Sequence, residues 1–204
     1  MIKNVVFDYG NVMIHFDPRY MVSRYVSDAN DVEMLTPIIF DRLYWDALDE
    51  GSISDGEVIE AVKKRIPERF WDVSEKIYYN WVYNLPEIEG MNALVKHVKN
   101  ELGARVFLLS NISIYFAEHA HEKRELDVFE KCIFSSVVGH IKPHADMFEY
   151  ICRECGIEPE ETLFVDDNEN NIKGAEAFGI RGYLFDGDSA KLRGYIDSLF
   201  AEGI

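Results

Sequence analysis

Apolar residues recur along this chain in short, nearly unbroken runs, each closed by a polar or turn-forming pair. Val5-Val6-Phe7 runs into Asp8 and then Gly10-Asn11. Val106 to Leu109 runs into Ser110-Asn111, and Thr162-Leu163-Phe164-Val165 into Asp166-Asp167. Two weaker runs lie around Cys132-Ile133-Phe134 and Tyr183-Leu184-Phe185. Such runs, too short for helices and bounded by turn chemistry, read as strands buried on both faces. Between them the spacing becomes helical: Met91 to Glu101 closed by Gly103, a segment near Ile114 to His121, Ala145 to Cys155, and Ile172 to Phe178 stopped by Gly179. Strands alternating with helices predict an α/β fold, a doubly wound parallel sheet of five strands with right-handed crossovers. From Pro18 to about Asn84 only helical spacing is present, with Tyr20, Val22, Tyr25 and Val26, then Val58, Ile59, Val62 and Ile66. Residues 15–85 therefore read as a helical insertion after the first strand, in a core formed by 1–14 and 86–204.

Composition sharpens this picture. With 204 residues, 48% of them hydrophobic and 28% charged, the chain can bury a core of ordinary size without disulfides. The 37 acidic and 21 basic residues give a net charge of −16, which disfavours nucleic acid and anionic membrane surfaces as partners. No signal peptide or membrane span is expected, and three cysteines, an odd number, point to free thiols and a cytoplasmic setting.

Ligands of open parallel sheets gather at the carboxyl ends of the strands. Those ends carry Asp8, Ser110-Asn111, Lys142-Pro143 after the third strand, and Asp166-Asp167. Carboxylates converging on one edge repel unless a cation holds them, and carboxylate oxygens suit Mg²⁺. A lysine and a hydroxyl beside that cation complete a cradle for a phosphoryl group, and one Asp becomes available as nucleophile.

These four segments, VVFD, LLSN, Lys142-Pro143 and FVDDN, resemble in order and spacing the motifs of the haloacid dehalogenase-like (HAD) hydrolase superfamily. DDNENNIKGAEAFG, Asp166 to Gly179, is similar to that family's fourth motif and its following helix. The resemblance implies a Rossmann-like core with a small helical cap in the insertion. It implies Asp8 as nucleophile and metal ligand, Ser110 and Lys142 as phosphoryl-holding groups, and Asn11 and Asn111 as further substrate contacts. Mg²⁺ would be held by Asp8, the Gly10 carbonyl, Asp166 and Asp167, with Asn171 behind them. The expected activity is a Mg²⁺-dependent phosphatase acting on a small phosphorylated metabolite, through an aspartyl phosphate, as a monomer or homodimer. FDYGNVMI further resembles a branch that includes glucose-1-phosphate phosphatases.

One position departs from the pattern. Phosphatases of this family usually carry a second Asp two residues after the nucleophile as general acid and base, and here that position is Gly10. A good leaving group, another residue such as His15, Asp17 or His140, or a loss of hydrolysis are the three ways to accommodate it. The alternatives to a phosphatase are thus a catalytically silent phosphate- and metal-binding protein and a 2-haloacid dehalogenase. Cys152 and Cys155 form a C-x-x-C without a second pair, expected to be two helix thiols one turn apart. The segment Leu43 to Gly51, rich in aromatics and acids, is a candidate wall for a substrate pocket.

Overall fold

Asn4–Phe7 (β1), three of whose four residues are apolar, forms the central strand of a five-stranded parallel sheet. The structure is a computed structural model and describes residues 1–83 and 85–201. The other strands are Arg105–Ser110 (β2), Lys131–Phe134 (β3), Thr162–Asp166 (β4) and Arg181–Leu184 (β5), in the order β3-β2-β1-β4-β5. Val5 lies opposite Val106 and Leu163, and Phe7 opposite Leu108 and Val165. This register brings the carboxyl ends of β1, β2 and β4 to one edge. The order reverses at β1, which opens a crevice there between β1 and β4.

Successive strand residues face opposite sides of the sheet. Val5, Phe7, Leu163 and Val165 pack with Met91–Asn100 (α6) and Ser189–Ala201 (α11), through Leu94, Val98, Leu192 and Ile196. Val6, Phe107 and Phe164 face the other way, onto Ala145–Cys155 (α9) and Glu169–Phe178 (α10), through Phe148, Ile151 and Ala175. Burying both faces makes the strand interiors wholly apolar, which is why the runs are unbroken in the sequence.

The helical insertion comprises Pro18–Ser23 (α1), Ala29–Ile39 (α2), Trp45–Asp49 (α3), Asp55–Lys63 (α4) and Trp71–Asn80 (α5). Three of these helices start where side chains satisfy free N–H groups: Asp17 and Asp28 cap α1 and α2, and Ser54 with Glu57 forms a capping box on α4. Val22, Leu35, Ile39, Val58, Val62 and Ile77 form its own apolar core. Its two connections to the sheet are sewn together. The backbone of Ile14 bridges Gly10 and Glu87, and His15 N–H donates to the Pro86 carbonyl at 2.7 Å. The expected end of the helical stretch at about Asn84 lies outside the described residues.

Three features differ from the sequence expectation. A further helix, α11, follows the last strand. Asp188 accepts from the Ala190 and Lys191 amides at its start, and it buries Leu192, Ile196 and Leu199 at helical spacing. Strand β5 sits earlier than Tyr183–Phe185, since it is an edge strand whose residues stay largely accessible and so leave a weak apolar signature. A four-residue helix, Ser135–Val138 (α8), directly follows β3. The remaining helix, Ile114–His119 (α7), lies where expected. The three cysteines are free. Among the described residues no helix is long and apolar enough to cross a membrane.

Two contacts generate predictions. A Cβ at Gly174 in α10 would lie 2.4 Å from the Pro143 carbonyl oxygen and 3.2 Å from the Phe148 ring, so this helix touches the loop of Lys142-Pro143 only because the residue is glycine. Gly174→Ala is expected to cost about 1–3 kcal/mol in urea unfolding, through overpacking.

His97 of α6 bonds Asp197 of α11 at 2.7 Å and Glu101 at 2.8 Å. The bond to Asp197, against burial and with Glu101 after it, holds the imidazolium above its ordinary value. A raised folded-state pKa gives stability that is complete below the unfolded value of about 6.5 and is lost as pH rises through the folded one. The stability gap between the parent and His97→Gln should therefore be widest in mildly acid buffer and shrink on going alkaline, as read by urea unfolding across pH.

Candidate active site

At the sheet's carboxyl edge the side chain of Lys142 stands between two carboxylates, with Nζ 2.8 Å from Asp8 Oδ1 and 2.8 Å from Asp166 Oδ2. All three residues are buried, Lys142 at 3% exposure and Asp166 at 0%. Burial alone would push the Lys142 ammonium down; Asp166 and Asp8 more than offset this and hold it up at about 12. Burial pushes the Asp8 carboxyl upward, and Lys142 opposes that shift.

Each member is positioned by nearby backbone. Asp8 is the first residue beyond β1, and its N–H donates to the Val165 carbonyl at 2.9 Å, which fixes it beside β4. Asp166 ends β4 and accepts from Lys142, from the Asn168 N–H at 2.8 Å, and from Asn171 Nδ2 at 3.1 and 3.0 Å, so its lone pairs are nearly filled. The Asn111 amide holds the Lys142 backbone at both ends, donating to its carbonyl and accepting its N–H, both at 2.9 Å. Asn11 adopts a positive φ of 53°, which Asn tolerates better than most residues. From there its Nδ2 donates to Asp167 Oδ2 at 3.1 Å and its Oδ1 accepts from the Phe16 N–H at 3.1 Å.

Asp8, Asp166 and Asp167 offer carboxylate oxygens all within 4.8 Å of one another. Three carboxylates against one ammonium leave two negative charges on a largely buried cluster. An octahedral cation with bonds of about 2.1 Å separates opposite ligands by about 4.2 Å, so hard oxygen donors at this spacing fit a divalent ion such as Mg²⁺.

Asp8 and Asp167 lie at the floor of a cavity of about 800 Å³ between the sheet edge and the helical insertion, with Asp166 buried behind them. Ser110, Gly10, Asn11, Asn111 and Lys142 line it from below, and Phe16, Phe40, Trp45, Asp49 and Trp81 from above. Phe16 packs edge-on against Trp45, with ring centroids 5.0 Å apart, and against Trp81 at 5.6 Å. The structure thus brings together Asp8, Gly10, Asn11, Ser110, Asn111, Lys142, Asp166 and Asp167. It does not bring His15, Asp17 or His140 to the cavity: His15 is exposed, Asp17 caps α1, and His140 bonds Asp146 at 3.0 Å. Ser135, whose Oγ accepts the Ile112 N–H at 2.9 Å and so braces the loop after β2, escaped sequence reasoning, because a serine beyond an edge strand carries no distinguishing signal.

The sequence profile of the haloacid dehalogenase-like hydrolases matches residues 2–179. The chain belongs to this family. It is similar to D-ribitol-5-phosphate phosphatase of Bacteroides thetaiotaomicron, with 26% identity over 195 residues, covering 90% of this chain and 91% of that protein. Among solved structures, a HAD-like family hydrolase from Porphyromonas gingivalis aligns with TM-score 0.71 and 24% identity over 98% of both chains. A HAD family enzyme of Bacteroides thetaiotaomicron, in complex with magnesium and inorganic phosphate, aligns with TM-score 0.67 and 22% identity, covering 94% of this chain and 99% of that one. The fold of this HAD hydrolase is thus shared with both solved structures.

Charge balance in the cluster of this HAD hydrolase is testable through stability. Lys142→Met leaves two buried carboxylates unpaired and is expected to destabilise the metal-free protein by about 3–5 kcal/mol. Asp8→Asn keeps the shape and removes one of the excess negative charges, so its urea midpoint in chelator should be at or above that of the parent.

Proposed function

We propose that this hydrolase is a Mg²⁺-dependent phosphatase of small phosphorylated metabolites, of the polyol- or sugar-phosphate class, working through an aspartyl phosphate on Asp8. The observation that carries the reading is the buried Asp8–Lys142–Asp166 arrangement with Asp167 beside it, at the floor of a cavity large enough for such a substrate. The similarity to D-ribitol-5-phosphate phosphatase over nearly the full length of both chains supports the substrate class. The complex of the related enzyme with magnesium and inorganic phosphate supports the metal.

Asp8, Asp167 and the Gly10 carbonyl, with Asp166 alongside, would hold Mg²⁺, which when bound neutralises charge on the phosphoryl oxygens and on the nucleophile. Lys142 supplies a fixed positive charge beside Asp8, and the Ser110 hydroxyl and Asn11 face the same space, so phosphoryl oxygens are met by donors already in place. Asn111 acts through Lys142 by holding its backbone. Asp8 Oδ attacks phosphorus, the bond to the substrate oxygen breaks, and water later releases phosphate from the aspartyl phosphate. We assign residues 15–85 the part of a cap that covers the cavity and excludes water, and residues 1–14 with 86–204 the hydrolase core. The three free cysteines suit a cytoplasmic setting.

Phosphate release should be measured from a panel of sugar, polyol and p-nitrophenyl phosphates, with Mg²⁺ or with chelator. Mg²⁺-dependent turnover is expected from the parent, and Asp8→Asn should lose it by a factor on the order of 10⁴ or more. Halide release from 2-chloropropionate without Mg²⁺, and no phosphate release from any ester, would replace the phosphatase with a carbon–halogen hydrolase. Phosphate and Mg²⁺ binding without turnover would leave a binding protein.

A further inference from the structure

A phosphate ester of an ordinary alcohol leaves as an alkoxide, which needs a proton in the transition state. Gly10 supplies none, and most other polar groups lining the cavity are already engaged. Lys142 is locked between two carboxylates with its ammonium strongly favoured. Asp8 and Asp167 belong to the acidic cluster, and Asp167 accepts a hydrogen bond from Asn11. The Tyr78 hydroxyl already donates to Asp55 at 2.8 Å, and that of Tyr9 bonds Glu125 at 3.4 Å. Arg42 offers a guanidinium rather than an acid, Lys173 pairs with Glu169 at 2.8 Å, and Asp46 is exposed.

Asp49 remains. It is the last residue of α3, half-buried, on the cap side of the cavity whose opposite wall carries Asp8 and Lys142. Among the described residues no hydrogen bond or ion pair engages its carboxylate, an unusual state for a part-buried acid. Its position is fixed by the turn that follows. Gly51 has φ +72°, and a Cβ there would stand 2.7 Å from the Ser136 carbonyl oxygen, so the chain after Asp49 rests directly on α8 of the core.

We propose that Asp49 is the general acid and base of this enzyme, reaching from the cap into the position that Gly10 leaves without a carboxylate; this rests on the phosphatase reading above. In the first step Asp8 Oδ bonds to phosphorus, the P–O bond to the alcohol breaks, and the Asp49 carboxyl gives its proton to the departing oxygen. In the second, water attacks phosphorus, its proton passes to the Asp49 carboxylate, and the Asp8–phosphorus bond breaks to release phosphate. Both groups return to their starting states. Burial raises the Asp49 carboxyl to about 7, with Lys142 opposing and then Asp46 and Asp8 adding to the rise, Arg42 opposing; Tyr78 faces it from α5. A value near neutrality suits both proton steps.

The test compares parent, Asp8→Asn, Asp49→Asn and the double variant Gly10→Asp/Asp49→Asn on ribitol 5-phosphate and p-nitrophenyl phosphate with Mg²⁺. A Cβ at Gly10 meets nothing within 4 Å, so the introduced carboxylate has room. Asp49→Asn should keep the parent's thermal midpoint and lose about 10²–10⁴-fold in kcat/KM on the alkyl ester. On p-nitrophenyl phosphate, whose leaving group needs no proton, it should accumulate phosphorylated protein in intact mass spectra, because the second step is slowed. Gly10→Asp in the same chain should recover alkyl-ester turnover.

Asp49→Asn that handles both esters as the parent does, or loses both equally without accumulating phosphoenzyme, overturns the proposal and leaves the phosphatase standing. A parent without phosphatase activity, or an active Asp8→Asn, overturns both.

Discussion

A buried ammonium between two carboxylates is the constraint around which the sheet edge is organised. Lys142 pairs with Asp8 and Asp166 at once and offsets the cost of holding both acids out of water at the ends of their strands. The surroundings hold that one nitrogen in place. Asn111 grips the lysine's backbone, Asn171 and the Asn168 amide share Asp166, and Gly174 brings α10 against Pro143. The arrangement remains negative overall, and this residual charge suits a divalent cation.

Much of this was legible in the chain because the strands are buried on both faces. Val5 to Phe7, Val106 to Leu109 and Thr162 to Val165 stand out as apolar runs, and the polar residue ending each run marks the edge where ligands gather. The family resemblance suggested roles for them, since Asp8, Ser110, Lys142 and Asp167 taken singly look like turn and cap residues. Edge strand β5 and the helix after it were harder to read. Half-accessible residues dilute the apolar pattern of the strand, and α11 shows only a narrow stripe, Leu192, Ile196 and Leu199, in a segment that also carries a glycine, Gly194, a poor helix former.

Asp49 illustrates a different limit. The segment from Leu43 to Gly51 declared itself as a pocket wall by composition, but composition could not say which acid turns inward. That depends on tertiary contacts, Gly51 lying on the Ser136 backbone and Phe16 packing edge-on against Trp45 at the start of α3. His15 and Asp17 are nearer to Asp8 along the chain, yet their places are set by the cap's connections and by an N-cap. Proximity in sequence was a poor guide because the insertion folds back over the sheet edge.

The paired backbone of Gly10, Ile14 and Glu87 clamps the two necks of the insertion side by side. The sheet therefore experiences the insertion as a closed loop of fixed width, whatever lies beyond the clamp. Helices can be lengthened, traded or reshaped there without shifting the register of β1 against β2 and β4, so selection can redraw the roof of this cavity while the floor stays as it is.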